Sequence, residues 1–227
     1  MTKTWLPLEA NPEVLTSFAR SLRLPDNYSF HDVLSVEDWA LDMIPSPIQA
    51  ILLLFPITEH SLSDIRTESV PETSQIYFMK QTVENACGTI AILHALLNHA
   101  TTGAYKFEET SYVSRMLKET KSRSSIERGE WLERDDEIER AHTQTEVLGQ
   151  SNVPEDTDID THFIAFIRVD SSVYELDGRF ESPLFRGNST DDSHFGCKVL
   201  EVIKTDFMTR NPDGIRFSIL ALAPVSE

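Results

Sequence analysis

Apolar positions recur at helical spacing near the start of the chain. In LEANPEVLTSFARSLRL (8–24), Val14, Leu15, Phe18, Ala19 and Leu22 fall on one helical stripe, with Asn11 placed to cap and Pro12 at the first helical position. IQAILLLFP (48–56) is apolar without alternation, which predicts a central strand covered on both faces and stopped by Pro56. Polar residues predict a loop over 60–74, and the β-branched and aromatic run QIYFMKQ (75–81) predicts a further strand. A strongly apolar helical pattern starts at about Cys87.

Downstream the pattern weakens and then returns. From Lys121 to Arg140 charges dominate and the apolar residues are Ile126, Trp131, Leu132 and Ile138, which predicts a solvated, partly helical region. TQTEVLGQSNVPEDTDIDT (143–161) has little periodic apolar content and an acidic cluster at Glu155, Asp156, Asp158 and Asp160, and reads as a mobile loop; loops of such length in a compact domain are usually functional or disordered. HFIAFIRVDSSVYELDGR (162–179) reads as two strands about a short turn near Ser171, followed by a helix from Thr190 to Phe207 and a last strand in RFSILALAPV (216–225). Without repeats or clear linkers, the 227 residues predict one α+β domain.

Composition narrows the partners. A net charge of -17 opposes nucleic acid and anionic membrane, whose phosphates need Lys and Arg, and favours a basic ligand. No apolar run is long enough to span a bilayer, the N-terminus lacks the order of a secretion signal, and the two cysteines, Cys87 and Cys197, lack disulfide-scaffold or zinc spacing. The expectation is an intracellular, cytoplasmic protein with two free thiols and no metal or cofactor.

Cys87 falls at or near a helix N-terminus, where unpaired N–H groups and the helix dipole favour a thiolate. An isolated cysteine is more often simply packed, since free cysteines are among the most buried residues. A nucleophile needs a base, and the histidines are His31, His60, His94, His99, His142, His162 and His194. His94 and His99 sit on the Cys87 helix at offsets read as pointing away from its first turn, and these offsets do not bring the three side chains to one metal. His162 lies where the long loop meets a buried strand, and Asp177 lies nearly opposite it on the returning strand, within reach of a carboxylate–imidazole bond; Asp177-Gly178 is also ordinary turn chemistry. Gln81, six residues before Cys87, is a candidate oxyanion donor or a plain strand-end glutamine.

As a set, QTVENACGT, THFIAFIRV and YELDGR resemble the motifs of the ubiquitin carboxyl-terminal hydrolases, papain-like cysteine deubiquitinases. WLPLEANPEV, AILLLFPITE, IYFMKQ and RFSILALAP extend the likeness over most of the chain apart from about 60–74 and 119–160. The resemblance implies Gln81 as oxyanion-hole amide, Cys87 as nucleophile, His162 as general base then acid, and Asp177 as its orienting partner. It implies a central antiparallel sheet flanked by helices, a knotted backbone and an active-site crossover loop, here 143–161, that restricts cleavage to small adducts and unfolded peptides on the C-terminal glycine of ubiquitin. Glu9, Glu13 and Asp32 are the acids implied nearest the arginine-bearing ubiquitin tail. Thr161 departs from the family's bulky apolar residue before the histidine, and the 60–74 loop is shorter than in close relatives. The chain ends after the last strand like the short, stand-alone, monomeric class. A NEDD8-preferring hydrolase and an inactive ubiquitin-binding module are the alternatives.

Overall fold

The computed structural model describes residues 3–57, 76–102, 106–149, 160–210 and 216–225. The expected 60–74 loop and the acids Glu155, Asp156 and Asp158 lie outside these residues. The described chain opens with helix α1 (Pro12–Ser21), whose Asn11 side chain accepts from the backbone N–H of Glu13 at 2.8 Å and Val14 at 3.4 Å. Such a cap is worth about 1 kcal/mol. Strand β1 (Tyr28–Asp32), a short 3-10 turn (Asp38–Met43) and strand β2 (Ala50–Pro56) follow. Helix α2 (Cys87–Thr102) leads to α3 (Tyr112–Thr120), α4 (Ser125–Glu133) and α5 (Asp136–Glu146). Strands β3 (Thr161–Val169), β4 (Ser172–Leu176) and β5 (Leu184–Asn188), helix α6 (Asp192–Val202) with a π-helical continuation (Ile203–Met208), and strand β6 (Ser218–Pro224) complete it.

The six strands form one antiparallel sheet in the order β1-β6-β2-β3-β4-β5. Strand β2 is apolar throughout because each face meets its own core. Ala50 and Leu52 join the α1–α5 side, while Ile51, Leu53 and Phe55 join the α6 side. Strands β3 and β6 alternate the same way, with Phe163, Ala165 and Ile167 against Ile164 and Phe166, and Leu220 and Leu222 against Ile219 and Ala221. This is a sheet sandwiched between helical layers, as the sequence predicts. The turn from β3 to β4 places Asp170 at φ 53, a left-handed conformation that aspartate tolerates in turns.

Three expectations are corrected. Residues 76–80 form no strand: they are mostly buried, and among the described residues their hydrogen bonds go to helices, to the side chains of Asn98, His94 and Arg128 and the backbone of Ser125. The region from Lys121 to Arg140 is only partly solvated, because Arg128, Leu132 and Ile138 are buried. Residues 143–146 are not loop but the last turn of α5, whose buried stripe of Ile138, His142 and Thr145 contains two polar residues and so escapes a hydrophobic pattern. Of the expected crossover loop, only 147–149 and 160 are described outside regular structure.

Candidate active site

Cys87 is the first residue of α2, so the N–H groups of the opening turn have no partner inside the helix. Leu8 packs against the next residue: a methyl group on Gly88 would stand 3.3 Å from Leu8 Cβ and 3.4 Å from Phe163 Cδ2. The backbone beside Cys87 is thereby held between the N-terminal segment and the start of β3.

His162 is the second residue of β3 and pairs across the ladder with Phe55, which turns its ring edge to the imidazole at 5.9 Å and 88°. Extending the Ala165↔Leu176 register by one residue puts Asp177 across from Ile164, two residues along the same face from His162. The contact is made: His162 Nε2 lies 2.8 Å from Asp177 Oδ1, with both side chains buried. A second hydrogen bond joins the ring to the Cys87 thiol, and with Nε2 taken by Asp177 it falls to Nδ1. Arg179 closes on the far side of the carboxylate, its Nη2 2.7 Å from Oδ2 and its backbone N–H 2.9 Å from Oδ1.

The electrostatics follow from this packing. Burial alone would push His162 down, but the Asp177 carboxylate, with the thiolate, holds it up at about 9. Burial likewise opposes ionisation of Cys87, yet the hydrogen bond and charge of His162, with backbone N–H groups of Phe163 and Gly88, lower the thiol. Asp177 stays well below the usual carboxylate range despite burial, because His162 and Arg179 both face it. Both shifts favour the thiolate–imidazolium pair over the neutral one. Cys197 differs, with its thiol pushed up by burial and by Asp38. Both cysteines are free.

Gln81 reaches the same place from the extended segment. Its backbone N–H donates to Gly178 O at 2.8 Å, beside Asp177, and its Nε2 donates to Val83 O at 3.1 Å. An amide nitrogen carries two hydrogens, so one remains for a developing oxyanion. Gly178 gives this approach its room, since a Cβ there would press on Gln81 Cβ at 3.0 Å and on Ile90 Cγ2 at 3.1 Å.

The structure therefore brings Cys87, His162, Asp177 and Gln81 together. The three acids are spread along the N-terminal elements: Glu13 is exposed on the first turn of α1, Asp32 is exposed at the end of β1, and Glu9 is part-buried, its Oε2 2.9 Å from where a methyl on Gly149 would sit. His94 does not point away from the start of α2. Seven residues on, it shares the stripe of Cys87 and accepts from Met79 N–H at 3.1 Å. Sequence reasoning missed this role and that of Arg179; the available signals were polar residues on an otherwise apolar helix and the arginine two places after Asp177. Among the described residues no cluster of histidine, cysteine or carboxylate side chains is arranged to hold a metal.

A buried cysteine at a helix N-terminus, an imidazole on a neighbouring strand and an orienting carboxylate form the constellation of a cysteine hydrolase. Residues 5–208 match the family model described as ubiquitin carboxyl-terminal hydrolase, family 1, and the chain belongs to this family of thiol-dependent peptidases. It is 38% identical over 228 residues to a probable ubiquitin carboxyl-terminal hydrolase of Dictyostelium discoideum, covering 97% of this chain and 88% of that one. It is also 38% identical to ubiquitin carboxyl-terminal hydrolase 3 of Arabidopsis thaliana, covering 98% and 95%, and 36% identical to isozyme L1 of Rattus norvegicus, covering 95% and 96%. In fold it is similar to the UCH37 catalytic domain of Trichinella spiralis bound to ubiquitin vinyl methyl ester, with a TM-score of 0.78 at 21% identity over 97% of this chain and 96% of that one.

Proposed function

We propose that the chain hydrolyses esters, thioesters and amides at the C-terminal glycine of ubiquitin, with Cys87 as nucleophile. The Cys87 thiolate attacks the glycine carbonyl carbon, and the tetrahedral oxyanion is met by the Cys87 N–H and Gln81 Nε2. The intermediate collapses as the His162 imidazolium gives its proton to the leaving group, leaving a thioester acyl-enzyme. Neutral His162 then takes a proton from water, whose oxygen attacks the thioester, and ubiquitin leaves as Cys87 returns to thiolate. Asp177 keeps the imidazole oriented and its positive form favoured throughout.

The observation that carries this reading is the Cys87–His162–Asp177 chain of hydrogen bonds at the start of α2. Membership of the family supports ubiquitin as the partner, and the acidic balance suits its basic tail, with Glu9, Glu13 and Asp32 as the recognising acids. Residues 1–227 act as one catalytic domain, a cytoplasmic monomer that prefers small adducts and unfolded peptides; no described helix is long and apolar enough to cross a membrane.

The test is hydrolysis of ubiquitin and of NEDD8, each carrying a C-terminal fluorogenic amide. The expected result is faster turnover of the ubiquitin substrate by the parent and none by Cys87→Ser. Faster NEDD8 cleavage would move the substrate class, and ubiquitin binding without turnover would make the protein an inactive binding module.

A further inference from the structure

The segment that delivers Gln81 is held as a strand would be, but among the described residues it is helices that hold it. Tyr77 N–H donates to Asn98 Oδ1 at 2.8 Å, and Asn98 Nδ2 donates back to Tyr77 O at 2.8 Å. Two residues on, Met79 N–H donates to His94 Nε2 at 3.1 Å, and the His94 ring stacks on Phe78 at 5.2 Å and 12°. Phe78 O turns the other way and accepts from Arg128 Nη1 at 2.7 Å, while Lys80 N–H donates to Ser125 O at 3.0 Å. Gly129 seats the segment so closely that a Cβ there would stand 2.3 Å from Lys80 O.

His94 and Asn98 belong to the helix that begins with Cys87, and the three share one stripe, since offsets of seven and eleven residues return to nearly the same face at 3.6 residues per turn. The repeats also match along the axis. Two residues of extended chain advance about 6.6 Å, and four residues of helix about 6 Å. Tyr77 thus sits at Asn98, Met79 at His94, and the next step carries Gln81 towards the helix start. Nothing in the reaction calls for a buried histidine two turns behind the nucleophile, or for an asparagine that brackets one peptide unit from both sides.

We infer that His94 and Asn98 are positioning residues for the oxyanion amide, fixing Gln81 relative to Cys87 by tying both to α2. The inference rests on the hydrolase reading above and adds the device that sets the distance between nucleophile and oxyanion donor. Motions of the helix against the sheet then carry nucleophile and donor together.

The test uses the full chain and the fluorogenic ubiquitin amide. His94→Asn draws the acceptor back by one atom, whereas His94→Gln keeps an oxygen where Nε2 stands. The expected result is a fall in kcat of about 10-fold to 100-fold for His94→Asn, as misplacement of a catalytic donor by about 1 Å can cost, with KM within about twofold and most of the loss restored in His94→Gln. Asn98→Leu should behave like His94→Asn. Alkylation of Cys87 by iodoacetamide, read at its own peptide by mass spectrometry, should keep the parental rate, because that displacement forms no oxyanion. In a Gln81→Ala background the His94→Asn change should cost little more. Losses that add in the double variant, or an alkylation rate that falls with kcat, would overturn the positioning role while leaving the hydrolase reading intact. A parent enzyme inactive on the ubiquitin amide would overturn both. If Asn98→Leu fails to fold, the His94 pair still decides, since it contrasts two polar side chains of similar size.

Discussion

Thr89 Oγ1 and His142 Nδ1 meet at 2.8 Å across the α2–α5 contact, two residues beyond Cys87. The other ring nitrogen, Nε2, lies 2.6 Å from Leu6 O, which fixes the tautomer: Nε2 donates to the carbonyl and Nδ1 accepts from the threonine. One neutral imidazole thus joins α2, α5 and the N-terminal segment that packs on Gly88. Trp5 covers the ring at 4.4 Å, and Glu146 Oε2 stands 3.6 Å from Nε2.

Acid should unfold the protein through this residue and two others. Burial presses His94, His99 and His142 down to about 4, from the ordinary 6.5. The unfolded chain binds these protons more readily, so the stability is fully present above pH 6.5 and is lost as pH falls towards 4, on the order of 3 kcal/mol per histidine. Urea midpoints measured from pH 7.5 to 4.5 should fall steeply below 6.5. His142→Gln, which keeps one acceptor and one donor, should flatten the slope; a midpoint unchanged over that range would show the three rings are not held neutral.

Catalysis should follow a different window. The productive form pairs thiolate with imidazolium, so kcat/KM should rise as pH climbs through the lowered Cys87 thiol and fall as His162 loses its proton near 9. Stopped-flow rates from pH 4.5 to 10, restricted to conditions where circular dichroism shows a folded chain, measure both limbs. A basic limb near 6.5 would mean that Asp177 does not hold the imidazolium.

Gln81→Ala should lower kcat by roughly 10²-fold to 10³-fold with a smaller change in KM, as for a donor used mainly in the transition state. Asp177→Asn should also lower kcat, through loss of imidazole orientation, and should move the basic limb down. Wild-type kcat in both variants would remove these residues from the mechanism.

Cys87→Ser should abolish turnover and leave ubiquitin affinity nearly unchanged, because one thiol is a small part of a protein-sized interface. Isothermal titration and labelling with a ubiquitin bearing a C-terminal electrophile check the two halves. Adduct formation at Cys197 instead of Cys87 would sink the assignment.

Salt should slow encounter. Between about 0.01 and 0.1 M the screening length shrinks from about 30 to 10 Å, so a chain of net charge -17 meeting a basic tail should lose kcat/KM across that range. Charge reversal at Glu9 or Asp32 should flatten the dependence. Equal slopes for parent and variants would place tail recognition elsewhere.

The parts of the fold that sequence made legible share a physical reason. Strands β2, β3 and β6 are covered on both faces, so their apolar runs needed no knowledge of partners, and Cys87, His162 and Asp177 stand out as candidates because a thiol nucleophile needs a base and an orienting carboxylate. What escaped depends on long-range side-chain pairing. The 76–80 segment looked like a strand because it is extended and apolar, but its hydrogen bonds go to His94, Asn98 and Arg128, and no local pattern announces them. Arg128 looked solvated because arginine usually is; here Thr120 O, Phe78 O and Lys121 O take its donors and its guanidinium lies 4.5 Å above the Tyr77 ring. The end of α5 looked like loop because its buried positions hold His142 and Thr145.

The sheet order β1-β6-β2 has a consequence for biosynthesis. Strand β1 pairs with β6, which also closes one edge of β2, so residues 28–56 leave the ribosome well before 218–224 can join them. Until then β2 presents an apolar, hydrogen-bonding edge of the kind that recruits other chains. Translation arrested before Ser218 would release a polypeptide with that edge still open, a substrate for chaperones rather than a smaller enzyme.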